Sequence, residues 1–242
     1  MVTLLFITLV LVLLTALWFL LPFLMRKIAE YRLAKRCGEL KAIVLSYDDG
    51  PSSILTPRLL DLLARRGVAA TFFVLGNALE TNAIVAQRAL RDGHEIGSHS
   101  FAHYNAWKVW PHRAMTDLLA GVRAVRAVGG DGMLCRPPYG KLSFATYIGC
   151  LFQKLRFGWW TIDTKDTRES SERRKVEAIL AQIRSKNGGV VLAHDFDKKA
   201  EVAAGITHAE YVMELTEKII NFADENEYRI MRLGDVLKGA GS

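Results

Sequence analysis

Cysteine is scarce in this chain. Three occur in 242 residues, Cys37, Cys135 and Cys150, and no two are spaced as Cys-x-x-Cys. A sparse, odd set excludes a disulfide framework and favours a reducing compartment. Charge is missing altogether from residues 2–25, where Leu, Val, Ile and Phe dominate. Beyond that apolar run there is no low-complexity stretch and no internal repeat, which excludes solenoids and propellers. The formal charge of +7 would suit a polyanion. No basic-aromatic module, zinc finger or helix-turn-helix pattern accompanies it, so nucleic acid is not expected as a partner.

What is present begins with the apolar run itself. As a helix, its 24 residues would span about 36 Å, enough for a hydrocarbon core of roughly 30 Å. A cleaved signal peptide would need a basic start, a shorter apolar core and a small-x-small site, and none of these is found. Residues 1–25 are therefore expected to form a single transmembrane anchor. Arg26, Lys27, Arg32, Lys35 and Arg36 follow it, offset only by Glu30 within residues 26–36. By the positive-inside rule this flank lies in the cytoplasm, which predicts an inner-membrane protein with its soluble part on the cytoplasmic side. Residues 26–40 are expected as a basic juxtamembrane connector, touching anionic lipid or simply solvated. The rest, 41–242, is long enough for one domain with a full core.

From residue 41 short apolar runs alternate with helical patterns. Strands are predicted at 41–46, 69–75, 95–98, 134–137, 159–163, 190–194 and 228–231. Helices are predicted at 57–66, 78–92, 113–128, 143–155, 172–185 and 209–225. Such alternation implies an α/β protein with a parallel sheet or barrel. Polar residues of catalytic type gather just after the strands, the edge where parallel barrels build their sites.

Asp48-Asp49-Gly50-Pro51 ends the first strand. Adjacent carboxylates at a strand exit point in different directions, so one can ligate a metal while the other faces water; an ordinary Asp-Gly turn reads the same way. His99 and His103 are four apart, which on a helical turn would place them on one face. With a carboxylate they would make a three-ligand site with open positions, suited to zinc or another divalent first-row metal. Arg136-Pro137-Pro138-Tyr139-Gly140 offers a guanidinium able to grip a carboxylate bidentately, in a rigid loop. Asp163-Thr-Lys-Asp166 and Leu192-Ala193-His194-Asp195 end two further strands. A histidine there can act as a general acid, with a nearby carboxylate raising its pKa.

Taken in order, these segments resemble the motifs of the polysaccharide deacetylase family, the NodB-homology domain of carbohydrate esterase family 4. Ser46–Pro51 is similar to its Thr-Phe-Asp-Asp-Gly motif, His99–His103 to its His-Ser/Thr-x-x-His motif, and Arg136–Gly140 to its Arg-x-Pro-Tyr/Phe-Gly motif. Asp163–Asp166 and Leu192–His194 resemble the fourth and fifth motifs, and the likeness covers about residues 41–238. The resemblance implies a distorted, partly open (β/α) barrel and the removal of an acyl group from an amino sugar. It implies one divalent ion, zinc foremost with cobalt or another first-row metal as alternatives, on Asp49, His99 and His103. Asp48 would be the general base, held by Arg136, and His194 the general acid. Asp163 or Asp166 would tune His194 or tether Arg136. The Tyr139 amide would serve the oxyanion, and Leu192 would line the acyl pocket. One departure is Thr167, where the family usually carries a Trp that walls that pocket.

The anchor bears on the substrate. A cytoplasmic barrel could meet an amino sugar carried on polyprenyl phosphate or a lipid A-related precursor, as in the branch of the family that deacylates lipid-linked sugars. Phe101, Tyr104, Trp107 and Trp110 follow the histidines and could lean on a bilayer or pack at the barrel mouth. The alternatives are an exported deacetylase of peptidoglycan or another surface glycan, a catalytically inactive sugar-binding module, and a membrane scaffold protein.

Overall fold

The computed structural model describes residues 1–197 and 206–238. It opens on one continuous helix, α1 (Val2–Leu40). Strands and helices then alternate: β1 (Ala42–Asp48), α2 (Leu55–Arg66), β2 (Thr71–Val74), α3 (Gly76–Arg91), β3 (Glu95–Ser98) and α4 (Pro111–Ala127). There follow β4 (Leu134–Cys135), α5 (Phe144–Phe152), β5 (Arg156–Phe157), β6 (Ile162–Asp163), α6 (Val176–Lys186) and β7 (Gly189–His194). The order closes with α7 (His208–Glu225), β8 (Arg229–Ile230) and α8 (Leu233–Lys238).

The strands form one parallel sheet in the order β5-β4-β3-β2-β1-β7-β6, with β8 on the lower half of β1. β5 and β6 do not pair, so the curled sheet is a half-barrel. Alternation along β1 sorts the two faces. Ile43, Leu45 and Tyr47 join the outer layer, with Phe72, Val191 and the helices α2 and α7. Ala42 and Val44 point to the inner face, where Phe73, Leu134, Trp159 and Val190 meet them. Continuing that face places Ser46 and Asp48 at the rim of the same concavity.

α1 changes the picture of the N-terminus. Most of residues 2–25 are exposed, with Pro22 the buried exception, and the helix is long and apolar enough to cross a membrane. Thr8 and Thr15 return their hydroxyls to the carbonyls of Leu4 and Leu11, so no side-chain donor is wasted on an apolar surface. Past Pro22 the helix continues without a break. The stretch 26–40, expected as a surface connector, instead packs into the inner core: Leu33 and Cys37 are buried there beside Ala42, Val190 and Leu233. A half-barrel leaves its concave apolar face open, and the last turns of α1, with α8, cover it. Burying one Leu in this way stabilises by about 1.5–3 kcal/mol.

The helix pattern was legible because its stops are local. Gly67 and Asn187 end α2 and α6 in the left-handed region, and Thr207 with Glu210 forms a capping box on α7. β5 and α8 escaped the sequence reading, since two strand residues or a single helical turn and a half show no period.

Candidate active site

β4, β3, β2, β1 and β7 lie side by side and deliver their C-terminal ends to one rim. In register, Asp48 of β1 stands opposite His194 of β7 and Phe73 of β2. A cavity of about 510 Å³ opens there. Its walls include Asp48, Asp49, His99, His103, Tyr139 and His194. Leu192, Asp163 and Thr167 complete what the sequence singled out, so the missing Trp leaves a Thr on that wall.

Asp49, His99 and His103 each present one ligand atom, all within 4.8 Å of one another. Asp49 Oδ1 lies 3.5 Å from His99 Nε2 and 3.3 Å from His103 Nε2. The other nitrogen of His99, Nδ1, is 2.7 Å from the Arg136 carbonyl oxygen, which can only accept. The proton therefore sits on Nδ1 and Nε2 turns a lone pair to Asp49. Burial pushes His103 below its ordinary pKa, against the pull of Asp49, which favours the neutral ligand form. Asp49 Oδ1 is buried and accepts no hydrogen bond. Three lone pairs facing one point, with an orphaned carboxylate oxygen among them, fit a divalent cation.

The two histidines do not share a helical turn, as their spacing suggested. They lie on the loop after β3, where Ser100 (φ 72°) and His103 (φ 60°) take left-handed conformations. A loop with two such residues folds back on itself in the space of four, which gives a helix-like spacing without a helix. Asp117 on α4 fixes it, accepting from the amides of Ala102 (2.7 Å) and Tyr104 (3.4 Å).

Arg136 is fully buried and entirely engaged. Its Nη1 donates to Asp48 Oδ1 at 2.6 Å and to the Ser46 hydroxyl at 3.1 Å. Nε donates to the Gly158 carbonyl at 2.6 Å, and the guanidinium lies 3.9 Å over the Phe73 ring. Burial pulls its pKa down and Asp48 pushes it back up. Asp48 Oδ2 is left 3.7 Å from His99 Nε2, at the edge of the ligand set.

Asp166, not Asp163, partners His194. The two aspartates were equivalent in the sequence. In the structure Asp166 is buried, and its Oδ1 lies 2.9 Å from His194 Nδ1 while its Oδ2 accepts the His194 amide at 2.8 Å. Asp163 is exposed and its Oδ1 accepts the Lys165 amide, so it tethers neither His194 nor Arg136. Alternation along β6 and the following loop decides this: Thr164 and Asp166 face in, Asp163 and Lys165 face out. Burial alone would raise the Asp166 carboxyl, yet the imidazoles of His194 and His208 hold it below the ordinary range. Burial alone would lower His194, but Asp166 first, then Asp48 and Asp49, push it up to about 9.

Three contributors went unrecognised in the sequence. His208, at the start of α7, donates from Nε2 to Asp166 Oδ2 at 3.0 Å; nothing local marks it. Asp195 holds the catalytic turn through the Gly50 amide (3.0 Å) and the Thr56 hydroxyl (2.6 Å). Burial raises its pKa to about 7, against the Thr56 hydrogen bond and with help from Asp49 and Asp48. Its position next to His194 was the one available signal. Trp160 forms an aromatic wall that the strand pattern did not single out.

Tyr139 has φ 57° and Gly140 φ 61°. At Gly140 a Cβ would collide with Arg26 Nη1, because Arg26 reaches from α1 to the Gly140 carbonyl at 2.6 Å. The same guanidinium lies 4.4 Å over the Trp160 ring. About two turns earlier Phe19 meets Trp107 edge-on at 5.5 Å. α1 thus leaves the domain at the catalytic rim.

A rim of strand ends carrying an Asp-His-His ligand set, a guanidinium-held carboxylate and an aspartate-held imidazole defines a half-barrel hydrolase site. A polysaccharide deacetylase family model matches residues 35–148. The chain is 35% identical over 170 residues to the peptidoglycan-N-acetylglucosamine deacetylase PgdA of Listeria monocytogenes serotype 1/2a, covering 69% of this chain and 35% of that protein. It thus spans about a third of that relative's length. It is 30% identical to a chitooligosaccharide deacetylase of Rhizobium leguminosarum bv. phaseoli, over 69% of this chain and 74% of the relative. Among solved structures it resembles the Bc1960 peptidoglycan N-acetylglucosamine deacetylase, with a TM-score of 0.70 at 25% identity, over 81% of this chain and 87% of that one. The chain belongs to the polysaccharide deacetylase family.

Proposed function

We propose that this protein hydrolyses the N-acyl group, acetyl or formyl, of an amino sugar in a glycan held at the membrane. The observation that carries it is the convergence of Asp48 on Arg136, Asp49 with His99 and His103, and His194 on Asp166 around one cavity. Asp49, His99 and His103 would hold a divalent ion, zinc foremost, which would supply Lewis acidity, lowering the pKa of a water and polarising the amide carbonyl. Asp48 Oδ2, left unbonded by Arg136, accepts the proton of the attacking water. Arg136 holds the other oxygen and so fixes the direction of that transfer. Tyr139 lines the cavity in a left-handed backbone conformation, and in this reading its amide steadies the developing oxyanion, a task worth about 3–4 kcal/mol per donor. His194, protonated through Asp166, gives its Nε2 proton to the departing nitrogen. The acyl carbon keeps the water oxygen, and the sugar leaves as a free amine. Leu192 and Trp160 give the acyl group an apolar wall.

The finer reading is a polyprenyl-phosphate-linked or lipid A-related amino sugar, met by an anchored domain on the cytoplasmic side. Three features support it: the apolar helix leaves at the catalytic rim, the cations follow that helix, and the three buried cysteines are free. The peptidoglycan deacetylases among its relatives favour a second reading, an exported enzyme acting on wall glycan. The test incubates full-length protein and zinc with polyprenyl-phosphate-linked N-acetyl amino sugar and reads the lipid by mass spectrometry. Loss of one acyl mass, absent with Asp48→Asn, is expected. Deacetylation of peptidoglycan fragments alone, with a C-terminal reporter found outside the cell, would replace the first reading by the second.

A further inference from the structure

Beside the catalytic cavity lies a larger one of about 760 Å³. One wall is α1 between Arg26 and Lys35, and the other is β6, its following loop and α6. It occupies the gap that the unpaired edge of β6 leaves in the half-barrel. Trp160, Asp163 and Lys165 line both cavities, so the two adjoin through a shared wall.

The larger cavity is cationic. Arg26, Lys27, Lys35, Lys165, Arg174 and Lys186 face it, against Glu30 and Asp163. Two of the six are fixed parts of the frame. Arg26 is held by Glu30 and the Gly140 carbonyl, and Arg174 by the Asp163 carbonyl and Gln182. Lys186 is tied to the Thr161 carbonyl at 3.0 Å. The side chains of Lys27 and Lys35 are 52% and 68% exposed, each with one carboxylate partner that a phosphate could displace, Glu30 at 2.7 Å and Glu39 at 4.0 Å. The Lys165 ammonium has no hydrogen-bond or ion-pair partner among the described residues. So many like charges around one cavity repel each other until an anion enters. A neutral glycan would be served by aromatic platforms and amides; mobile ammoniums with a fixed guanidinium suit phosphate oxygens.

Position adds a second argument. Arg26 and Lys27 are the first charged residues after the apolar run, so the cavity begins where a hydrocarbon layer would end. The shared wall of Trp160, Asp163 and Lys165 gives a group attached to an amino sugar in the catalytic cavity a path toward α1. We propose that this groove binds the phosphate or diphosphate that joins the amino sugar to a lipid, with Lys27, Lys35 and Lys165 as its mobile ligands. The proposal rests on the deacylation reading above for the identity of the sugar. The groove itself is independent of it.

The test uses full-length protein in a neutral detergent, comparing wild type with Lys27→Gln/Lys35→Gln. Both positions are exposed on α1 and lie outside the catalytic cavity. Binding of farnesyl diphosphate is measured by calorimetry. Deacetylation is measured on N-acetylglucosaminyl farnesyl diphosphate and on chitotetraose. The double variant is expected to weaken farnesyl diphosphate binding, and to cut the preference for the diphosphate substrate through KM, each by about tenfold or more. An unchanged preference and unchanged binding would overturn the proposal. If neither substrate is deacetylated but farnesyl diphosphate binds and the variant loses it, the groove stands and the deacylation reading falls. If phosphatidylglycerol vesicles bind in a Lys27- and Lys35-dependent way while farnesyl diphosphate does not, the cations serve bilayer headgroups, and the substrate assignment is wrong.

Discussion

Arg136 and His194 are the two basic groups that the site pairs with aspartates, the first fully buried and the second 17% exposed. Arg136 has no solvent, so its charge is tolerated only because Asp48, Ser46 and two backbone carbonyls absorb it. Arg136→Leu leaves Asp48 buried without its partner and is expected to cost about 3–5 kcal/mol in denaturant unfolding. Asp48→Asn keeps the bond to the guanidinium through its amide oxygen, so a folded, inactive protein is expected. The loss should be about 10²–10⁴-fold in kcat, with a retained cooperative unfolding transition as the control. For His194 the sign follows from its raised pKa of about 9. In the proposed reaction the imidazolium is the proton donor, so activity should persist at neutral pH and fall as pH rises toward about 9, sooner with a dication nearby. Asp166→Asn removes the charge that sustains it and should move the alkaline limb of the kcat profile toward neutrality. The same pair stabilises the fold fully below about 6.5 and fades as pH rises through about 9.

At the scale of elements, α1 is two devices in one helix. Its first part carries no contact that the domain needs, whereas Leu33 and Cys37 complete the inner core. Leu33→Ala should therefore destabilise by about 2–5 kcal/mol, measured by chemical denaturation. Removing residues 1–25 should leave a cooperative unfolding transition, and removing 1–40 should abolish it. A cooperative transition in the shorter chain would show that the half-barrel closes without the helix. The loop after β3 is the second element with a consequence. Its two left-handed residues place His103 beside Asp49, so Ser100→Val should lower the metal stoichiometry more than the unfolding midpoint.

For the whole molecule, the apolar part of α1 leaves the domain beside the site. Phe19 on Trp107 and Arg26 on Gly140 tie α1 to the rim of the catalytic cavity. The cavity and the apolar helix therefore share one end of the domain. Trp110 is 76% exposed and Trp107 40%, at that same end. Trp107 also donates to the Leu142 carbonyl at 2.9 Å, so it serves packing as well. Trp110→Ser is expected to weaken binding of the domain lacking residues 1–25 to liposomes, without altering its unfolding. Equal liposome binding by both proteins would assign these aromatics to packing alone.

The sequence by itself determined the alternation of strands and helices, the apolar span and the ordered motifs that place Asp48, Asp49, His99, His103, Arg136 and His194. Those are local signals: a period, a cap, a spacing. Three matters were decided only by tertiary structure. Asp166 rather than Asp163 serves His194, because the choice depends on which face of a two-residue strand turns inward. His208 and Asp195 enter the site from across the fold, 42 residues from Asp166 in the first case and 145 from Gly50 in the second. The basic stretch after the apolar run reads as a solvated connector until the open concave face of the half-barrel is present to receive it. A sheet that fails to close needs a cover, and no periodicity within α1 says that this helix supplies it.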